Sequence, residues 1–170
     1  MIKSKNGLQK SIKIICLLII GAILWWGFGP VRLKADISQY GEQKIKITGV
    51  LENEFYITPN ELAQMKLTYV TATGRSAKAG HVKAVGPTMQ TFLKQYGRKV
   101  SDFKQVKVYA SDDYSTVLVD SLREKEIVLA IAAGSEPLEE YQWPLRLVIP
   151  KDDPSRWIRL IEEMEFTLKE

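Results

Sequence analysis

The sequence predicts an α+β domain, a β-rich mixed sheet with short helices, preceded by one transmembrane helix. Three observations lead there. Residues 44–51 (KIKITGVL) and 104–110 (KQVKVYA) alternate polar and apolar side chains, the two-residue period of half-buried strands. Helix-starting signals are few and short-ranged, at Thr58-Pro59 and at Gly86-Pro87-Thr88. Near the N-terminus, residues 14–28 (IICLLIIGAILWWGF) carry no charge, and Lys3, Lys5, Lys10 and Lys13 precede them.

Residues 1–13 read as a cytoplasmic basic tail and 14–30 as a transmembrane anchor. Counted from Ile12, the run offers about 17 to 20 residues, the short end of what crosses the hydrocarbon core. Trp25 and Trp26 stand where an interfacial aromatic belt would lie, and the lysines before the span outnumber Arg32 and Lys34 after it. The positive-inside rule then keeps the N-terminus in the cytoplasm and the domain outside, in a single-pass membrane protein. A cleaved signal peptide fits less well, because Trp-Trp-Gly-Phe replaces the small residues of a cleavage site.

Composition narrows the function classes. The 170-residue chain is 45% hydrophobic, and the about 135 residues beyond the N-terminal segment suffice for one domain and one core. The formal net charge of +4 owes much to the first lysines, and no cluster of Lys and Arg follows, so nucleic acid is not an expected partner. Cys16, the one cysteine, lies in the apolar run. The domain therefore has no thiol for a disulfide, a thiolate-held metal or nucleophilic catalysis, and the single histidine, His81, cannot make a zinc site. With no nucleotide loop, serine-nucleophile motif or calcium loop, no catalytic or metal-ligating residue is assigned.

Residues 31–43 read as a polar linker and 44–170 as the domain. Residues 44–51 form the first strand, Glu52-Asn53-Glu54 turns it, and 55–57 return. Thr58, Pro59 and Glu61 match a capping box with proline in the first helical position, so a short helix runs to about Met65. Residues 67–73 make a strand rich in β-branched side chains, ending at Gly74. The loop 74–83 (GRSAKAGHVK) gathers Arg75, Lys78, His81 and Lys83 around two glycines, a pattern that suits a small anion and equally a solvated hairpin tip.

A strand returns over 82–85, and Gly86-Pro87-Thr88 opens a helix through about Tyr96, with Met89, Phe92, Leu93 and Tyr96 on its buried face and Gly97 as its stop. Residues 104–110 and 114–119 form a hairpin about Ser111-Asp112-Asp113. The paired carboxylates there offer acid-base or metal chemistry, but turn formation already accounts for them. Asp120 caps a short helical turn, and 127–133 (IVLAIAA) make a central strand buried on both faces. Residues 145–149, between Pro144 and Pro150, are the strongest apolar strand, with Leu145, Leu147 and Ile149 on one face and Arg146 beside Val148 on the other. A guanidinium in such a strand costs free energy unless something anionic pairs with it, so either a structural ion pair or an anionic ligand is expected. Asp153-Pro154 reads as an N-cap followed by a proline, and the chain closes over 157–168 with a helical turn and a terminal strand over 165–168, although Ile158, Ile161 and Met164 could also line a helix.

In order and spacing, Ala110-Ser111-Asp112-Asp113-Tyr114, Leu129-Ala130, Glu136-Pro137-Leu138, Pro144-Leu145-Arg146-Leu147-Val148-Ile149-Pro150 and Trp157-Ile158 resemble the C-terminal half of the oxidoreductase molybdopterin-binding domain, the sulfite oxidase type. The strand with Gly49, the capped helix and the helix from Pro87 to Gly97 fit its compact bacterial version, so the likeness extends over 45–168. The resemblance implies a sulfite-oxidase-like mixed α+β fold and, in full members, a pterin-bound molybdenum centre acting on small substrates. It also brings Asp113 and Tyr114 among the ligand-binding candidates, where the family's Asp-Gly-Tyr stands here as Asp112-Asp113-Tyr114.

The family's enzymes hold molybdenum through a cysteine after the strand matched to 67–73, and this chain has none there. Neither serine nor threonine replaces a soft thiolate on a redox metal. The expectation is a membrane-anchored extracytoplasmic domain without the redox centre and without a cofactor. It would bind a small anionic ligand or a protein partner through Arg75, Lys78, His81, Lys83, Asp113, Tyr114 and Arg146. The alternative is a molybdopterin-dependent oxidoreductase in which the pterin supplies both thiolates and Arg75, His81 and Lys83 grip its phosphate.

Overall fold

The computed structural model describes residues 30–73, 81–119, 122, 126–152 and 156–169. Residues Val31–Glu170 form one compact unit. Its described strands are β1 (Ile45–Thr48), β2 (Phe55–Ile57), β3 (Leu67–Thr73), β4 (His81–Pro87), β5 (Phe103–Ala110), β6 (Ser115–Leu118), β7 (Val128–Ala130), β8 (Ala132–Ala133), β9 (Glu136–Pro137), β10 (Arg146–Val148) and β11 (Ile161–Leu168). Helix α1 (Pro59–Ala63) follows β2 and helix α2 (Met89–Gln95) follows β4. One sheet runs β2-β1-β11-β5-β6, a second runs β3-β4-β8-β9, and β7 pairs with β10. The domain is thus sheet-rich α+β, as the sequence predicts.

Local signals place the helices. Thr58 Oγ1 accepts the Glu61 N–H at 3.2 Å while the Thr58 N–H donates to Glu61 Oε2 at 2.7 Å, the reciprocal capping box read from the sequence. Thr88 Oγ1 accepts the Thr91 N–H at 3.1 Å and caps α2 without the reciprocal bond of a capping box, and Gly86 and Pro87 end β4 instead of opening the helix. Met89, Phe92 and Leu93 are buried beneath it.

The C-terminus departs from expectation. β11 is a single eight-residue strand at the centre of the larger sheet, parallel to β1 and antiparallel to β5, and it begins at Ile161 rather than at 165; Arg156 lies in a 3-10 turn, and residues 153–155 lie outside the described residues. A register shift between Ile161 and Glu163 explains why the segment imitates a helix. The bulge lets Ile161 and Met164, three apart, both turn inward, and both are fully buried.

Residues 127–133 are also not one strand. They are apolar and almost wholly buried, but the run serves two sheets. Val128 to Ala130 pair with β10, and Ala132 pairs with Val85 of β4. Between them, Ile131 donates its N–H to Val85 O at 2.8 Å and accepts the Tyr40 hydroxyl at 2.7 Å. Gly86 makes the close approach of β4 to β7 possible, since a Cβ there would lie 1.8 Å from Leu129 O.

The residues read as a linker belong to the domain. Ile37 and Tyr40 are buried with Leu138, and the Tyr40 ring stacks on Trp143 at 5.1 Å between centroids. The boundary at 44 therefore moves back, because Tyr40, five residues before the first strand, finds a polar and apolar niche that hydropathy does not reveal. The anchor segment 14–30, apart from Pro30, lies outside the described residues, as does Asp120. Among the described residues, no helix is long and apolar enough to cross a membrane.

Candidate anion site

The site is built on β10. Arg146 pairs with Ala130 of β7, and Leu147 N–H donates to Ile158 O at 2.7 Å, so the strand is held along both edges. Leu145, Leu147, Val148 and Ile149 are all fully buried. In that setting Arg146 is half-buried, and its Nε is sealed from water with no hydrogen-bond partner. The structural ion pair does not form: among the described residues no carboxylate lies within ion-pair distance of Arg146. Burial pushes the guanidinium below its ordinary pKa, Arg159 pushes the same way, and Tyr141 and Glu139 oppose it.

Two further groups converge on this place. The Arg159 guanidinium lies 4.9 Å from the centroid of the exposed Tyr141 ring, a cation on an aromatic face. Ile161 N–H donates to Leu145 O at 3.3 Å, which draws residues 159–161 alongside 145–146. The hairpin tip is tied in as well, since Ser111 N–H donates to Leu160 O at 2.9 Å. Two arginines, a phenol and the 111–114 turn therefore gather at one end of β10.

The other sequence candidates divide. Asp113 occupies the left-handed region at φ 64 and Ala110 N–H donates to Tyr114 O at 2.9 Å, so the first role of this pair is the β5–β6 turn. Both side chains are exposed. His81 and Lys83 are not in a loop; they are alternate, exposed residues of β4. His81 Nδ1 is 3.0 Å from Thr73 Oγ1 across the β3–β4 ladder, and a Cβ at Gly134 would lie 3.3 Å from the Lys83 Cδ. Among the described residues, no hydrogen bond or ion pair joins these two to Arg146. Arg75 and Lys78 lie outside the described residues. Tyr141 and Arg159 were missed by sequence reasoning, and the one available signal was a second arginine in WIRL, thirteen residues beyond an arginine already out of place.

These residues do not fit a molybdenum held by a protein thiolate. No cysteine exists beyond Cys16, and among the described residues no three His, Cys, Asp or Glu side chains come together as a metal site.

No family model matches this chain, and no curated protein does. Among solved structures, the sulfane dehydrogenase SoxCD from Paracoccus pantotrophus is similar, with a TM-score of 0.61 and 19% sequence identity, over 83% of this chain and 41% of that one. The likeness shows a shared fold, and the chain spans less than half the length of the dehydrogenase chain. The β-rich α+β fold that the sulfite oxidase resemblance implies is thus also the fold of part of an oxidoreductase chain.

Proposed function

We propose that this chain is a membrane-anchored extracytoplasmic domain that keeps a molybdopterin-domain fold, lacks a protein-ligated redox centre, and binds a small anionic ligand at Arg146. The observation that carries the reading is the buried Arg146 Nε without a partner. A buried donor left unpaired costs about 1–3 kcal/mol, and more when charged, so a fold that retains one has a use for the charge. An anion beside the guanidinium supplies the missing negative charge. The planar fork of arginine suits a carboxylate or a tetrahedral oxyanion, Arg159 adds a second cation, and the Tyr141 hydroxyl adds a donor. The excess of lysines before residues 14–30 supports the anchor and the outward orientation of the domain.

Calorimetric titration of the full-length chain with sulfate, in zwitterionic micelles at constant ionic strength, tests this. Wild type is expected to bind saturably, and Arg146→Leu to lose about tenfold or more in affinity, the effect of removing a charge-assisted contact worth more than 1.4 kcal/mol. Equal affinity in both proteins would refute the assignment.

A further inference from the structure

A concavity lined by basic side chains lies at the C-terminal end of α2. The chain leaves the helix through Gly97 at φ 70, with Gly97 N–H donating to Lys94 O at 3.1 Å and Arg98 N–H to Leu93 O at 3.0 Å. This double bond pattern ends the helix in a fixed left-handed turn and sets Arg98 and Lys99 next to Lys94. Arg98 is held in place by its Nε–H, which donates to Val50 O at 3.0 Å. Asp102, at the end of the 3-10 turn Val100–Asp102, accepts Lys99 N–H at 2.8 Å through its carboxylate and Lys169 N–H at 2.9 Å through its carbonyl. The turn after α2 and the residue after β11 are thereby brought to one place.

Between them opens a surface cavity of about 920 Å³. Lys94, Arg98, Lys99 and Lys169 line it, and no carboxylate side chain does so among the described residues. At Gly97 an added Cβ would meet nothing within 4 Å, so the backbone there faces open space. Four cations around one concavity repel each other and focus a positive potential into it. A compact group with more than one negative charge relieves that repulsion, and the cavity is of ligand size.

We propose that this cavity binds a multiply charged phosphate group. The group would come either from a soluble phosphate ester or from the headgroup of an anionic lipid. Arg98, fixed by Val50, supplies a preset fork, and the lysines supply mobile charge.

The test uses the full-length chain in phosphatidylcholine nanodiscs, titrated with inorganic pyrophosphate. Saturable, salt-sensitive binding is expected. The double variant Lys94→Gln/Lys99→Gln should weaken it by about tenfold or more, while Lys34→Gln/Lys66→Gln, of equal charge change on exposed residues elsewhere, should leave it within about twofold. The loss caused by Lys94→Gln/Lys99→Gln is expected to persist when Arg146 is also replaced by leucine, which separates this cavity from the β10 site. Discs that include phosphatidylglycerol distinguish the sources: weakened pyrophosphate binding there assigns a lipid headgroup, and unchanged binding assigns a soluble ester. Absence of saturable binding, equal loss in the control double variant, or disappearance of the Lys94→Gln/Lys99→Gln effect in the Arg146→Leu background would overturn the proposal.

Discussion

Arg146 sets the terms at the scale of a residue. Its neighbours along β10 are fully buried leucine, valine and isoleucine, and its Nε is paired with nothing. A structural ion pair would make leucine a poor replacement, because the remaining charge would be stranded. Without such a pair the expectation reverses. Arg146→Leu should raise the thermal midpoint by about 2–8 °C, from about 1–2 kcal/mol of relieved desolvation in a domain of this size. A lower midpoint by calorimetry would show that the guanidinium supports the fold. Stabilisation together with lost anion binding is the pattern of a residue kept for function. The anomaly was legible in the sequence as an arginine inside an apolar run between prolines. Arg159 and Tyr141 were not, because their approach depends on the Ile161–Leu145 hydrogen bond between segments that the sequence does not pair.

The segment before β1 matters most among the elements. The Tyr40 hydroxyl donates to Ile131 O and accepts Leu138 N–H at 2.9 Å, fastening residues 31–43 to the bend between β7 and β8. Tyr40→Phe keeps the ring stacking on Trp143 but strands a buried carbonyl and a buried N–H, at a cost of about 1–3 kcal/mol read from urea unfolding. Burial holds the Tyr40 phenol above its ordinary 10.0, a shift opposed by the Leu138 N–H and reinforced by Asp36. The unfolded phenol therefore loses its proton first. The stabilisation is full below the ordinary value and is lost as pH rises through the folded one, so wild type should lose more stability than Tyr40→Phe across that window. Tyr96, also raised by burial, leaves a slope common to both proteins. Parallel stability curves would show that the Tyr40 hydroxyl is not buried as described.

Elements written in local chemistry were read correctly: the capping box at Thr58, the Gly97 stop, the β3 span and the β5–β6 hairpin. Those decided by distant pairing were not. The break at Ile131 exists because two different strands claim the two halves of one apolar run, and the β11 bulge makes a strand carry a helical spacing.

At the scale of the whole molecule, the fold is shared with part of a dehydrogenase chain, while the donor set of this one lacks the thiolate that the resembling family uses. The strand after which that cysteine would stand, β3, ends at Thr73, and the residues 74–80 that follow contain no cysteine. Fold and redox centre are separable in principle, since the sheets are held by apolar packing that runs from Ile45 to Phe166 and needs no metal ligand. The most direct test is the molybdenum and pterin content of the full-length chain, made in a host that synthesises the cofactor and purified without chelators. The proposed function requires a folded protein with far less than one molybdenum per chain that still binds sulfate through Arg146. One molybdenum and one pterin per chain would contradict it and make this an oxidoreductase whose pterin supplies both thiolates.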